Sequence, residues 1–209
     1  MPIRESHKAP FAEQTFYHVY NRCVKNQLLF YTDENYKYFL KLFDRHLSGV
    51  SRVYSWSLIP NHFHFLISIN RLGDCSFSDK EYDLISHNRF SLDLIVRKRW
   101  KNFFIAYSNA VKRQETIKTN IFAQHFKHIE VDTDDYFKNV VQYIHHNPAH
   151  HHIMPDWEKY RWSSYGRILN DHKSKLEKQY VLELFGGKEN YIRSHLEYAR
   201  NFNCGFDDI

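Results

Sequence analysis

The segment Leu58-Ile59-Pro60-Asn61-His62-Phe63-His64-Phe65-Leu66-Ile67 constrains this chain more than any other. Its β-branched and aromatic residues, with Val53-Tyr54-Ser55-Trp56-Ser57 ahead of them, favour two strands joined at a Pro60-Asn61 turn. Side chains alternate across a strand, so His62 and His64 leave one face while Phe63, Phe65 and Ile67 leave the other. Two imidazoles on one face can share a divalent ion. Histidine is abundant, 15 in 209 residues, so roughly one His-x-His arises by chance. The flanking strand pattern separates the His62 to His64 pair from the second instance, His150 to His152.

Around this hairpin the order of elements predicts an α+β fold. Thr15-Phe16-Tyr17-His18-Val19-Tyr20-Asn21 alternates as a strand, and a helix over 33–46 follows, with Tyr36, Phe39, Leu40, Phe43 and Leu47 at helical spacing. After the hairpin, residues 70–89 read as an insertion, and 91–112 as a helix carrying Leu92, Ile95, Trp100, Phe103, Phe104 and Tyr107. A fourth strand lies in His125-Phe126-Lys127-His128-Ile129-Glu130-Val131. The acidic run Asp132-Thr133-Asp134-Asp135 then starts a helix that Pro148 is expected to stop. Strand, helix, strand, strand, helix, strand is the split βαβ, or ferredoxin-like, order of a central antiparallel sheet. Residues 1–170 are expected to form that unit and 171–209 a C-terminal helical appendix, with Val181, Leu182, Leu184 and Phe185 ahead of a Gly186-Gly187 break.

Composition narrows the class. With 43% hydrophobic and 17% aromatic residues the chain can bury a substantial core, and no stretch approaches the ~18 apolar residues of a membrane span. The first eight residues lack a signal-peptide core, so a cytoplasmic protein without a membrane partner is expected. Cys23, Cys75 and Cys204 are odd in number and far apart, which suits a reducing compartment. A net charge of +5 favours a polyanionic partner.

Tyr143 and Asn147 stand four apart and so share a helix face. If that face meets the histidines, two imidazoles and an amide oxygen form a donor set suited to Mg²⁺ or Mn²⁺ with positions left open. A phenol is a weak nucleophile at neutral pH unless held in line with a polarised electrophile such as a phosphodiester. A phosphotyrosine keeps the ester bond energy, so cleavage and rejoining need no nucleotide cofactor.

Taken together, Tyr17-His18-Val19, Pro60-Asn61-His62-Phe63-His64-Phe65-Leu66, Phe126-Lys127, Tyr143-Ile144-His145-His146-Asn147-Pro148 and Trp162-Ser163-Ser164-Tyr165 resemble the single-tyrosine HUH transposases, specifically the REP-associated tyrosine transposase branch. The resemblance spans about 15–165. It implies that His62, His64 and Asn147 bind the metal, that Tyr143 attacks DNA, and that the substrate is single-stranded or hairpin DNA. It leaves monomer and homodimer both open. Two departures stand out: the 70–89 insertion, and Asn120 where the family often has glycine, a residue that tolerates a left-handed backbone.

For DNA contact the sequence offers Arg97, Lys98, Arg99 and Trp100, with Arg22, Lys112 and Arg113 beyond them. Two rival functions remain at this point. One is a non-catalytic nucleic-acid-binding module. The other is a zinc protein drawing on His62, His64 and some of His145, His146, His150, His151 and His152.

Overall fold

The computed structural model describes residues 9–25, 27–87, 89–123 and 126–202; the first eight residues, Cys204 and His125 of the expected fourth strand lie outside them. Four strands, β1 (Phe16–Arg22), β2 (Ser51–Ile59), β3 (His62–Ile69) and β4 (Lys127–Val131), form one antiparallel sheet in the order β2-β3-β1-β4. This is the expected split βαβ order. The two crossovers carry α1 (Asp33–Leu47) and α3 (Leu92–Glu115). Pro60-Asn61 makes the two-residue turn, braced by Cys23 N–H donating to the Asn61 carbonyl and Leu29 N–H to that of Pro60.

Every residue of β3 is buried, because both sheet faces are covered. Phe63, Phe65 and Ile67 pack with Phe39 and Phe43 of α1 and with Trp100, Phe103 and Tyr107 of α3. Beneath the opposite face, Leu66 joins Phe137, Val140, Val141 and Ile144 of α4 (Asp134–His150). Thr133 caps α4 by accepting from Tyr136 N–H at 3.2 Å. Ser55 and Ser57 of β2, both fully buried, keep the sheet surface low beneath this helix.

Two expectations about backbone give way. Pro148 does not stop α4, which runs on to His150. A proline so near a helix end removes one hydrogen bond, and the chain turns out at His152, with φ of 54°. Asn120 is likewise not a left-handed residue; that conformation falls at Thr116, φ 56°, where α3 ends.

The 70–89 insertion is ordered by α3. It contains α2 (Asp79–Ser86), capped by Ser78, and Arg99 reaches it with Nε 2.9 Å from Glu81 Oε1 and Nη2 2.6 Å from the Ser76 carbonyl. Burial works to raise the Glu81 pKa, but hydrogen bonds from Arg99 and Ser78 and the Arg99 charge outweigh it and hold the carboxyl at about 2. Arg99→Ala would leave the half-buried Glu81 carboxylate without a counter-charge, held only by Ser78. We expect a loss of about 3 kcal/mol in urea unfolding, with faster proteolysis inside 70–89; unchanged stability and protease resistance would show that the pair does not anchor the insertion.

The tail folds back. Residues 165–169 (α5), 178–184 (α6) and 188–202 (α7) bring Tyr165, Val181, Phe185 and Tyr191 into the core under α4. Among the described residues no helix is long and apolar enough to cross a membrane.

Candidate active site

Cross-strand pairing sets the floor of the site. Residues directly opposite in an antiparallel ladder share a face, so the pairs Arg22–His62 and Tyr20–His64 place four side chains on the α4 side of the sheet. His18, two residues before Tyr20, faces the same way.

His62 is 8% exposed and His64 5%. Desolvation depresses both: the His62 pKa falls to about 3, with the charges of His151 and Arg22 adding to the effect, and His64 lies well below the ordinary value. Both imidazoles are therefore neutral, the state that carries a lone pair for a metal. His62 Nδ1 lies 2.9 Å from Asn61 Oδ1, an acceptor; with the proton on Nδ1, the lone pair is on Nε2.

Nε2 in turn lies 2.8 Å from Asn147 Oδ1. In that tautomer two lone pairs converge, whereas a proton on Nε2 would make the contact a hydrogen bond to Oδ1; the buried Asn147 Nδ2 has no partner. An octahedral ion with ~2.1 Å bonds spaces neighbouring ligands about 3.0 Å apart, so the His62 and Asn147 donors already stand at the edge length of such a site. The donor chemistry fits Mg²⁺ or Mn²⁺. Among the described residues no three His, Cys, Asp or Glu side chains converge to hold a metal; the oxygen donor beside His62 is the Asn147 amide.

His64 is met by His18, which the sequence offers only within the segment Tyr17-His18-Val19 and without a role. Its Nδ1 is 2.9 Å from His18 Nε2, and His18, 6% exposed, is held neutral by burial with a pKa of about 3. If His64 Nδ1–H is the donor and His18 Nε2 the acceptor, the lone pair of His64 is on Nε2, the arrangement an outer partner gives a ligating histidine. His18→Phe keeps the bulk and removes the acceptor. Its expected effect is a 10- to 100-fold loss of Mn²⁺ affinity by calorimetric titration; unchanged affinity would mean that His64 needs no such partner.

Tyr143 completes the group. Between Val140 and Pro148 it is the one residue of α4 that is not buried. Its ring stands edge-on to His64, with centroids 5.5 Å apart and planes at 87°, and edge-on to His18 at 5.9 Å. The four expected residues, His62, His64, Tyr143 and Asn147, do meet.

The expected DNA-contact residues do not all join them. Trp100 is fully buried between Phe63, Phe103, Phe104 and Phe126, so the expectation that it stacks on bases is corrected: it is a core side chain. Helical spacing explains this, since Trp100 continues the apolar stripe Val96, Phe103, Tyr107 and Val111. Arg97 pairs with Asp93 at 2.8 Å, and Arg99 with Glu81, on the sheet side opposite the histidines. Lys98 stands over Phe90, and Lys112 and Arg113 fill the last turn of α3, where they complement the helix dipole. Arg22 alone of that set lies beside the histidine pair.

His151 and His150 lie against the site, with ring centroids 4.3 Å from that of His62 and 5.7 Å from that of Tyr143, whereas His145 and His146 serve packing. His145 Nε2 is 2.8 Å from Ser164 Oγ and its Nδ1 is 2.9 Å from His195 Nε2, all fully or nearly fully buried behind α4. His146 Nδ1 lies 2.8 Å from the Gln142 carbonyl. They hold α4 by its far side rather than forming a zinc cluster.

No family model matches the chain, and neither does any curated protein. Among solved structures, that of a REP-associated tyrosine transposase bound to a REP hairpin superposes with a TM-score of 0.55 at 16% identity, covering 78% of this chain and 83% of that one. The chain shares the antiparallel α+β fold of that transposase, in keeping with the family resemblance that its motifs carry.

Proposed function

We propose that this protein is a metal-dependent DNA nicking and strand-transfer enzyme that acts on single-stranded or hairpin-bearing DNA with Tyr143 as nucleophile. The observation that carries the reading is the convergence of Asn147 Oδ1 on His62 Nε2 at 2.8 Å, one helical turn from Tyr143. The likeness in fold to a transposase bound to a hairpin supports it.

In the step we assign, the Tyr143 phenolic oxygen bonds to phosphorus as the bond from phosphorus to the 3′ oxygen breaks. The phenol gives up its proton and the leaving 3′ oxygen takes one up, so the products are a 5′-phosphotyrosine and a free 3′-hydroxyl. Attack by another 3′-hydroxyl reverses the step and joins a new strand, without a nucleotide cofactor. His62, His64 and Asn147 would hold Mg²⁺ or Mn²⁺, which supplies positive charge to the phosphodiester oxygens. His18 and Asn61 fix the two imidazoles, and α4 sets the phenol against them at no cost in reorganisation. Because the four side chains meet within one chain, Tyr143 is assigned to act in cis, and a monomer suffices.

The test incubates the protein with end-labelled hairpin strands copied from the DNA flanking its own gene, with Mn²⁺ or with EDTA, and resolves the mixture on a denaturing gel. A metal-dependent covalent protein–DNA band is expected. Binding without such a band at any metal concentration would reduce the protein to a binding module.

A further inference from the structure

The face that carries the histidines is only partly roofed. α4 lies across β2 and β3, whereas on the β1 and β4 side Tyr20 is half-buried and Arg22 and Lys127 are exposed. Lys127 faces the histidine side because it pairs with Tyr20 across β4 and β1, and Tyr20 pairs with His64 across β1 and β3. The Lys127 ammonium stands 5.9 Å above the Tyr20 ring centre, and that ring stacks on His64 at 5.5 Å with planes 19° apart. A shallow trough results, with Tyr143 on one wall, the Lys127 edge on the other, and Tyr20 and His64 as its floor.

We infer that Lys127 and Arg22 are a two-point phosphate clamp that seats a single DNA strand along β1, with the strand held between them and α4. The inference rests on the nuclease reading of the site. Neighbouring strands are ~4.8 Å apart and alternate residues ~6.8 Å apart, so the two cations flank one side of the histidine pair, Arg22 one strand from His62 and Lys127 two strands from His64. Tyr20, lying flat under Lys127, keeps the ammonium above the floor, where a phosphate oxygen can reach it. Both cations stand clear of the core, so either can be truncated without a cavity. Neither reads a base edge, so the clamp grips any sequence.

The test compares wild type, Lys127→Ala, Lys127→Arg and Lys98→Ala, the last on the opposite side of the sheet. Each is titrated with a hairpin bearing a randomised single-stranded tail, from low to high salt, and assayed for the covalent band. Lys127→Ala should lower the slope of log affinity against log salt by about 0.7 and weaken low-salt binding roughly fivefold, alike for all tails. Lys127→Arg should restore both, and Lys98→Ala should match wild type. If wild type binds and forms its adduct while Lys127→Ala keeps the wild-type slope, the clamp is refuted and the enzyme reading stands. If wild type neither binds nor reacts, both fall together.

Discussion

Tyr143→Phe is expected to reduce covalent attachment to DNA by at least about 10³-fold while leaving hairpin affinity within about twofold of wild type. The substitution deletes one oxygen and keeps the ring that packs edge-on to His64 and His18. The site geometry therefore survives, and only the attacking atom is lost. The half-exposure of Tyr143, in a stretch of α4 otherwise buried, keeps any stability change small. A gel showing the wild-type amount of adduct from Tyr143→Phe would remove this residue from the chemistry.

Steep acid destabilisation is the second large effect. His18, His62 and His195 have pKa values of about 3 and His146 of about 4, while His64 and His145 lie well below the ordinary value, all with burial as the leading cause. Their folded values lie below the unfolded value near 6.5. Between the two, the unfolded chain binds protons that the native chain excludes, so stability is intact above pH 6.5 and falls continuously as pH drops towards 3 to 4. Counting the hydrogen-bonded pairs His18–His64 and His145–His195 once each leaves four independent sites, each costing about 1 kcal/mol at pH 5.5. The total of about 4 kcal/mol approaches the whole stability of a marginal domain. The urea midpoint should collapse between pH 7 and 5.5; a midpoint constant over that window would show that these histidines already share protons or water in the native state.

The legible part of this protein was what period and punctuation carry. A period of two with a Pro-Asn turn fixed the His62 to His64 hairpin, and a period near four put Tyr143 and Asn147 on one face of α4. The role of His18 was harder, because Tyr17-His18-Val19 marks a family segment without assigning the imidazole a partner; only the pairing of β1 with β3 reveals that it reaches His64. Trp100 was misread because the eye follows the charges of Arg97, Lys98, Arg99 and Lys101, whereas the apolar stripe through Val96 and Phe103 already claimed it. Arg99 was legible as a cation but not as the partner of Glu81, eighteen residues away in a segment with no periodic signature. The tail showed helices, yet the burial of Tyr191 and His195 against α4 depends on a partner surface that exists only once the sheet has formed.

In the proposed reaction the Tyr143 phenolic oxygen becomes covalently bonded to DNA. The most direct test is to digest the purified protein–DNA adduct with nuclease and trypsin and to locate the remaining nucleotide by tandem mass spectrometry. A 5′-linked nucleotide is expected on the Tyr143 side chain, formed only with Mg²⁺ or Mn²⁺ and absent from Asn147→Ala. A nucleotide on any other residue, or linked through its 3′ phosphate, would contradict the proposed reaction.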